Sequence, residues 1–334
     1  MASLIPDDRP IRWGFLGAGG IAGKLAKDLA RSPSNVLAAV AARSAERART
    51  FADQNGAERS YDDYRRLVDD PAVDVVYIAT THPHHREQAL LAVQAGKPIL
   101  IEKPVCLNAA DTSEVFQAAA TAGVFAMEAM WMRTNPLIRT AQTLVAQGAI
   151  GELRSVSAEM TLGLPFDPAH RLYELANGGG ALLDLGIYPL TFAWIFLGKP
   201  TDVRSTGKVG ASGVDETVAM LCDYPGGATA QLLCSAPVPG PYRGLIQGTD
   251  GWIRFEGRFH RPTGLTVTTR QQQRVIDDPL DPELPGYLPQ IEEVERCLRA
   301  GELTSPLVPP AESIAIMTVL DELRAGLGVR YPGE

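Results

Sequence analysis

Gly17-Ala18-Gly19-Gly20-Ile21-Ala22 is the first stretch whose residue types and spacing can do chemistry. It falls between an apolar strand-like run and a helical run, the context in which a glycine-rich turn cradles a dinucleotide. Gly17 permits the tight turn, Gly19 lets the backbone approach a pyrophosphate, and Ala22 stands where a small residue allows close helix packing. The helix that opens at Gly20 and Ile21 offers free N–H groups and the positive end of its dipole to phosphates. The competing reading is a bare structural turn. Ala41-Ala42-Arg43-Ser44 comes next, about where an NAD-binding chain places an Asp or Glu for the ribose 2′-hydroxyl. No carboxylate stands there. Arg43 can fork onto a 2′-phosphate, Ser44 can add a hydrogen bond and Arg47 adds charge, so NADP is expected, with NAD as the alternative. In the competing reading Arg43 is a solvated side chain and Ser44 only a helix N-cap. Glu102-Lys103-Pro104 follows a short apolar run. A lysine at the carboxyl end of a parallel strand faces the ligand crevice. There it can hold a ribose, orient a hydroxyl or depress the pKa of a neighbouring acid. On its own the tripeptide reads equally well as a turn.

Strands and helices must alternate to bring these stretches to one edge. Ile11 to Leu16, Val36 to Ala42, Asp74 to Ala79, Ile99 to Ile101 and Val124 to Met127 read as strands. Ile21 to Arg31, Ser44 to Asn55, Tyr61 to Val68, Arg86 to Ala95 and Ala109 to Ala122 read as helices. That rhythm predicts a doubly wound parallel sheet of Rossmann type with helices on both faces. The second half changes character. Strands are expected at Leu153 to Thr161, Val203 to Val209, Thr217 to Tyr224, Gly227 to Ser235, Tyr242 to Gly248, Gly251 to Phe255 and Leu265 to Thr269. Short turns between them predict an α/β domain with a large open, mostly antiparallel sheet. Helices are expected at Pro136 to Gln147, Gly180 to Phe196, Leu288 to Ala300 and Pro310 to Leu327. Residues 1–128 would bind the cofactor, and 129–334 the substrate.

Bulk properties exclude several classes. A net charge of −8 disfavours nucleic acid, whose recognition rests on clustered Lys and Arg. The four cysteines, Cys106, Cys222, Cys234 and Cys297, form no C-x-x-C pair, so neither a zinc site nor a disulfide framework is expected. The start of the chain carries Asp7, Asp8 and Arg9 and lacks the basic, then apolar, pattern of a signal peptide. No apolar run of membrane-spanning length is apparent. The expected setting is a reducing cytoplasm.

A resemblance becomes specific when motifs are taken in order. The Gly17 fingerprint, Thr80-Thr81-His82-Pro83-His84-His85, Glu102-Lys103-Pro104 and Gly178-Gly179-Gly180-Ala181-Leu182-Leu183-Asp184-Leu185-Gly186-Ile187-Tyr188-Pro189 together resemble the glucose-fructose oxidoreductase/inositol dehydrogenase/MocA family. Met127-Glu128-Ala129-Met130-Trp131-Met132-Arg133, taken with Tyr188, resembles its dimeric dihydrodiol dehydrogenase and D-xylose dehydrogenase branch. The likeness spans nearly the whole chain. It implies reversible hydride transfer between a nicotinamide and a carbinol carbon of a sugar, polyol or trans-dihydrodiol. It also implies a homodimer or homotetramer built through the C-terminal sheet.

The same resemblance implies roles for single residues. Lys103 matches the family's active-site lysine. Asp184 and Tyr188 match an Asp-x3-His/Tyr motif, in which this chain has tyrosine where many members have histidine. Four residues apart on a helix, the pair would share one face. A phenol ordinarily titrates near pH 10, and a nearby Lys103 ammonium would favour the phenolate. Tyr188 could then take the substrate proton as hydride leaves. Asp184 would orient substrate or Lys103. Thr80, His82, Pro83 and His85 are implied beside the cofactor, and Trp131 and Arg133 beside the substrate. The competing readings are a core aromatic for Tyr188 and Trp131, a cap or surface carboxylate for Asp184, and exposed loop for His84 and His85. His170, Arg171 and Tyr173 read best as plain loop. Two other functional classes stay open: an NAD-assisted glycoside hydrolase on the same fold, and a non-catalytic cofactor-sensing regulator.

Overall fold

The computed structural model describes Ile5, Arg9 to Asp281 and Glu283 to Gly333; Asp7 and Asp8, used above to argue against a leader, lie outside the described residues. The chain forms two compact units, Met1–Thr134 with Pro282–Ile314, and Asn135–Asp281 with Ala315–Glu334. Chain order alone suggests a single cut at 128/129. The segment that counts with the first unit from further down the chain is set by contacts, not by order.

The first unit is built on six parallel strands: β1 (Ile11–Leu16), β2 (Asn35–Ala41), β3 (Arg59–Tyr61), β4 (Val75–Ile78), β5 (Ile99–Ile101) and β6 (Ala126–Glu128). Their order, β3-β2-β1-β4-β5-β6, is doubly wound, and the strand order reverses between β1 and β4. β4, β5 and β6 are buried at every residue, as expected of parallel strands covered on both faces. Five helices provide the cover: α1 (Gly20–Leu29), α2 (Ala45–Asn55), α3 (Tyr64–Val68), α4 (His85–Gln94) and α5 (Ala109–Ala122). The stretch 61–68, expected as one helix, is divided. Residues 59–61 pair with Ala39-Val40-Ala41 as an edge strand. The helix starts only after Asp63, whose Oδ1 accepts the Arg65 N–H at 2.8 Å.

The second unit carries eight strands: β7 (Leu153–Thr161), β8 (Asp202–Val209), β9 (Asp215–Asp223), β10 (Thr229–Ser235), β11 (Gly244–Gly248), β12 (Gly251–Arg258), β13 (Arg261–Thr269) and β14 (Gln273–Asp277). The order is β14-β13-β12-β11-β7-β10-β9-β8, antiparallel throughout except for the parallel pair β7/β10. β14 has no counterpart in the sequence reading, because its residues are polar and mostly exposed. Helices α6 (Pro136–Ala146) and α7 (Ile187–Leu197) pack on the sheet, α7 against β7 and β10. Phe192 of α7 meets Phe255 and Phe259 edge-on at ring distances of 4.8 and 5.2 Å. The stretch Leu175–Leu197 has the length and hydropathy of a membrane span, yet 83% of its apolar window is buried within the protein, the setting of a core helix. The sequence predicts one regular helix from Gly180. Instead Leu182–Gly186 is π-helical before α7 begins. Pro189, two residues into α7, has no N–H to give to that preceding turn.

Two further helices, α8 (Leu288–Ala300) and α9 (Pro310–Gly326), complete the chain; α8 belongs to the first unit.

An ion cluster closes the amino-terminal ends of β1 and β4. Arg9 Nη1 and Arg12 Nη2 reach the Asp74 carboxylate at 2.6 and 2.8 Å, and the Arg12 N–H adds a bond at 2.9 Å. Burial alone would push Asp74 up; hydrogen bonds from Arg12 and Arg9 outweigh it and hold the carboxyl at about 2. A depressed folded-state pKa contributes stability above the unfolded value and loses it as pH falls toward about 2. Because the arginines are about a third exposed, solvent screening limits the contribution to about 1–2 kcal/mol. Asp74→Asn is expected to lose that amount in urea unfolding at neutral pH and to flatten the acid side of the stability curve. Unchanged stability would show that the cluster contributes nothing.

Candidate functional site

In the first unit the strand order decides what meets the glycine turn. β1 lies between β2 and β4, so the loops after these three strands share one edge. Gly17 sits there with φ +110°, its N–H on the Ala41 carbonyl at 2.9 Å. A Cβ at Gly17 would stand 2.7 Å from the Ala79 carbonyl oxygen. Gly19 and Gly20 border open space instead. No side chain caps the first turn of α1, and no acidic residue lies in it. Unclaimed N–H groups beside glycines with room before them fit a pyrophosphate. Ile21, half-buried, begins the apolar side of that turn.

Arg43 and Arg47 are exposed just past β2. Both face Tyr64 of α3: burial raises the Tyr64 pKa, and the two guanidinium charges offset part of the rise. Ser44 is the N-cap of α2, its Oγ accepting the Arg47 N–H at 3.4 Å. The capping role does not exhaust a hydroxyl, which also has a proton to donate.

Past β4, Thr80 donates to Gln88 at 2.7 Å. His82 is buried, Pro83 is half-buried, and the His82 ring meets that of His85 at 5.7 Å. His85 is fully enclosed, its ring nitrogens 3.0 Å from the Pro104 carbonyl and 3.2 Å from that of Thr80. Burial lowers its pKa. A neutral imidazole has one N–H, so it donates to one carbonyl at a time. His85 thereby ties the loop after β4 to the turn after β5. That turn holds buried Glu102, which accepts a hydrogen bond from Tyr77 of β4, and half-buried Lys103.

Glu128, the last residue of β6, was noted in the sequence only as part of a motif. It pairs in register with Ile101 and takes the Ser313 hydroxyl at 2.6 Å. Burial raises its pKa, with Ser313, Arg133 and Lys103 opposing. The Trp131 ring meets that of Tyr287, just before α8, at 4.8 Å in a tilted contact. Arg133 is buried and bound to Glu312 at 2.6 Å. Tyr287 and Ser313 give no sequence signal; their place in this unit depends on the returning segment.

In the second unit Asp184 lies on the π-helical turn and is 3% exposed. Arg171 holds it with both nitrogens, Nη1 to Oδ1 at 3.1 Å and Nη2 to Oδ2 at 3.0 Å. From its sequence context Arg171 reads as plain loop. The glycine run explains the pairing. Gly179 and Gly180 donate N–H groups to Glu174 and Leu172 at 3.1 and 2.9 Å. A Cβ on Gly179 would stand 2.8 Å from the carbonyl oxygens of Arg171 and Glu174. The missing side chain thus lets the Arg171 loop lie on the helix start. Tyr188, 6% exposed, sits one turn beyond Asp184 with its ring 5.2 Å from that of His260. His260, also buried, gives no sequence signal because it lies in the short turn between β12 and β13, 72 residues from Tyr188.

The parallel dinucleotide-binding sheet and its open glycine turn define an oxidoreductase working with a nicotinamide cofactor. Residues 11–130 match the family model described as oxidoreductase family, NAD-binding Rossmann fold, and residues 138–254 match the GFO/IDH/MocA C-terminal domain. The chain belongs to the GFO/IDH/MocA oxidoreductase family. It is 36% identical to the trans-1,2-dihydrobenzene-1,2-diol dehydrogenase of Mus musculus over 96% of this chain and 98% of that one. Identity to the Homo sapiens protein of the same name is 35%, with the same coverage. Among solved structures, a 3-ketoreductase from Actinomadura kijaniata in complex with NADP and TDP-benzene superposes with a TM-score of 0.84 at 26% identity, covering 95% of this chain and 98% of that one. An aldose-aldose oxidoreductase from Caulobacter crescentus, complexed with glycerol, gives 0.85 at 25% identity with the same coverage. The protein is a dehydrogenase or reductase acting on a small molecule.

Weakening the clamp on buried Asp184 has a measurable cost. Breaking a buried pair costs up to about 3–5 kcal/mol, but Arg171 is 49% exposed, which reduces the figure to about 1–2 kcal/mol. Arg171→Met is expected to lower stability by that amount in thermal unfolding at pH 7. A melting temperature equal to that of the parent protein would show that Asp184 does not depend on this arginine.

Proposed function

We propose that this enzyme uses NADP and transfers hydride to or from a carbinol or carbonyl carbon of a trans-dihydrodiol, sugar or polyol. The observation that carries the cofactor reading is exposed Arg43, with Arg47 beside Tyr64, at a strand end that bears no carboxylate. Anion recognition at this position favours a 2′-phosphate, and NAD is the alternative. The substrate reading is supported by near full-length likeness to dihydrodiol dehydrogenases and by structural likeness to a 3-ketoreductase and an aldose-aldose oxidoreductase.

The glycines Gly17, Gly19 and Gly20, with Ile21 and the first turn of α1, would bind the pyrophosphate. Arg43 and Ser44 would take the 2′-phosphate. Thr80, His82, Pro83, His85 and Glu102 would form the cofactor wall, and Lys103 would be both a cofactor-binding and a catalytic residue. A bound nicotinamide would supply the hydride acceptor or donor. Tyr188 would exchange the proton of the substrate oxygen, and Asp184, fixed by Arg171, would orient the substrate. Trp131 and Arg133 are proposed as substrate-binding. A homodimer or homotetramer through the outer face of the β7–β14 sheet completes the reading. That face carries Leu221, which is 41% exposed, among polar neighbours such as Gln231.

Two experiments test this. Absorbance assays with NADP⁺ and a panel of trans-dihydrodiols, aldoses, inositols and anhydrosugars should show cofactor reduction. In them Lys103→Ala and Tyr188→Phe should each lower kcat by about 100-fold or more while NADP affinity stays within about threefold for Tyr188→Phe. Full turnover in either variant would remove that residue from the chemistry. In titrations of free cofactor, Arg43→Asp should weaken NADP by about 10–100-fold, the value of one charge-assisted contact, and spare NAD. Equal losses for both cofactors would take Arg43 out of phosphate recognition.

A further inference from the structure

Asp215, the first residue of β9, is 1% exposed and lies against the start of the helical segment that carries Asp184 and Tyr188. Its Oδ2 accepts the Leu182 N–H at 2.5 Å, and the Ala181 N–H adds a second bond. These are first-turn N–H groups, which have no acceptor within the helix. Gly180, with φ +124°, would direct a Cβ into Asp215 Oδ1, so the glycine is what lets the carboxylate reach the helix end. Leu182 is two residues from Asp184 and six from Tyr188. The turn between them is π-helical, a rare geometry that occurs mostly as single turns and often at functional sites.

We propose that Asp215 is a positioning residue: its ionised carboxylate holds the helix start in the geometry that presents Asp184 and Tyr188, so turnover falls when that carboxylate takes up a proton. This rests on the assignment of Tyr188 and Asp184 to the substrate. A charged acceptor makes stronger bonds to N–H groups than a neutral one and meets the positive end of the helix dipole. Protonation removes both advantages.

The groups that face Asp215 come from several elements. Arg324 of α9 favours its charge; that guanidinium also meets Asp321 at 3.1 Å and stacks on Tyr331 at 4.3 Å. Tyr331 in turn donates to the Gly179 carbonyl at 2.8 Å. Cys234 of β10 is a buried thiol within electrostatic reach. Glu216, next along β9, is engaged by Lys208 at 2.8 Å. Asp184 is engaged by Arg171. Burial pushes the Asp215 carboxyl up to about 7, with the Leu182 N–H and Arg324 among the groups that oppose the rise. Its charge therefore changes across the neutral range. The sign for stability is opposite to that for activity. A raised folded-state pKa gives a contribution that is complete below the unfolded value near 3.9 and is lost as pH rises through about 7. The ionised form that suits the helix start is the less stable one.

Asp215→Asn keeps an amide oxygen for the Leu182 N–H but cannot ionise. With NADP⁺ and trans-1,2-dihydrobenzene-1,2-diol, kcat of the parent enzyme should fall about tenfold in all through a midpoint near 7 and level off at the activity of the protonated form. The variant should have a plateau about tenfold lower, no acid limb with that midpoint, and unchanged NADP affinity. An acid limb with the parent's midpoint in the variant would overturn the proposal. A second measurement needs no variant. Hydrogen exchange of the Leu182 amide in the parent protein, corrected for its intrinsic rate and for the pH dependence of global unfolding, reports local opening in which Asp215 stays buried, and should lose protection as pH falls from 8 to 6. Constant protection over that range would overturn the proposal even if Asp215→Asn did not fold. The exchange reads the carboxylate whether or not Tyr188 moves a proton. A pH-dependent Leu182 amide beside pH-independent turnover would sink the link to catalysis, whereas failure of the Tyr188 assignment shows in Tyr188→Phe.

Discussion

Gly17 donates its N–H to Ala41 at the end of β2 while its α-carbon lies against the Ala79 carbonyl after β4. Because β1 is the strand at which the order reverses, any side chain at this point would force the two neighbouring strand ends apart. The loops bearing Arg43, Thr80 and His85 all hang from those ends. The cofactor half of the protein therefore depends on one position where backbone replaces side chain. The second unit uses the same device. Gly179 and Gly180 admit the Arg171 loop on one side and Asp215 on the other, so that a guanidinium reaches Asp184 and a carboxylate reaches the helix start.

Buried charge is placed differently in the two settings. Asp74 is over-compensated by Arg9 and Arg12, which keeps it ionised and makes it a stabilising feature of the sheet's distal end. Asp215 and Glu128 receive too few donors to offset burial, so their acids are weakened. A carboxyl held near its charge transition, as Asp215 is, is a poor anchor for a fold and suits a group whose charge matters to chemistry. Asp184 lies between these cases, enclosed yet gripped by a half-exposed arginine that solvent can compete for.

The two units also divide the chemistry. The parallel sheet supplies backbone N–H groups and an arginine at its carboxyl edge, features that fit an anionic dinucleotide and say nothing about what is oxidised. The antiparallel sheet supports a largely apolar helical segment in which Asp184, Tyr188 and Thr191 are buried polar side chains.

The sequence by itself determined the alternation of strands and helices, the glycine turn, the strand-end positions of Arg43 and Lys103, and the motif holding Asp184 and Tyr188. Each is local, since periodicity and turn chemistry are written in a few neighbouring residues. Only the tertiary structure decided that residues 59–61 join the sheet edge, because three residues become a strand by what they pair with. It also decided that Arg171 binds Asp184, that His260 meets Tyr188, that Asp215 reaches Leu182, and that Ser313 meets Glu128. These partners lie 13 to 185 residues apart. No local pattern specifies such pairings; they follow from how sheets and helices pack, and from backbone gaps that glycine leaves open where the chain folds back on itself.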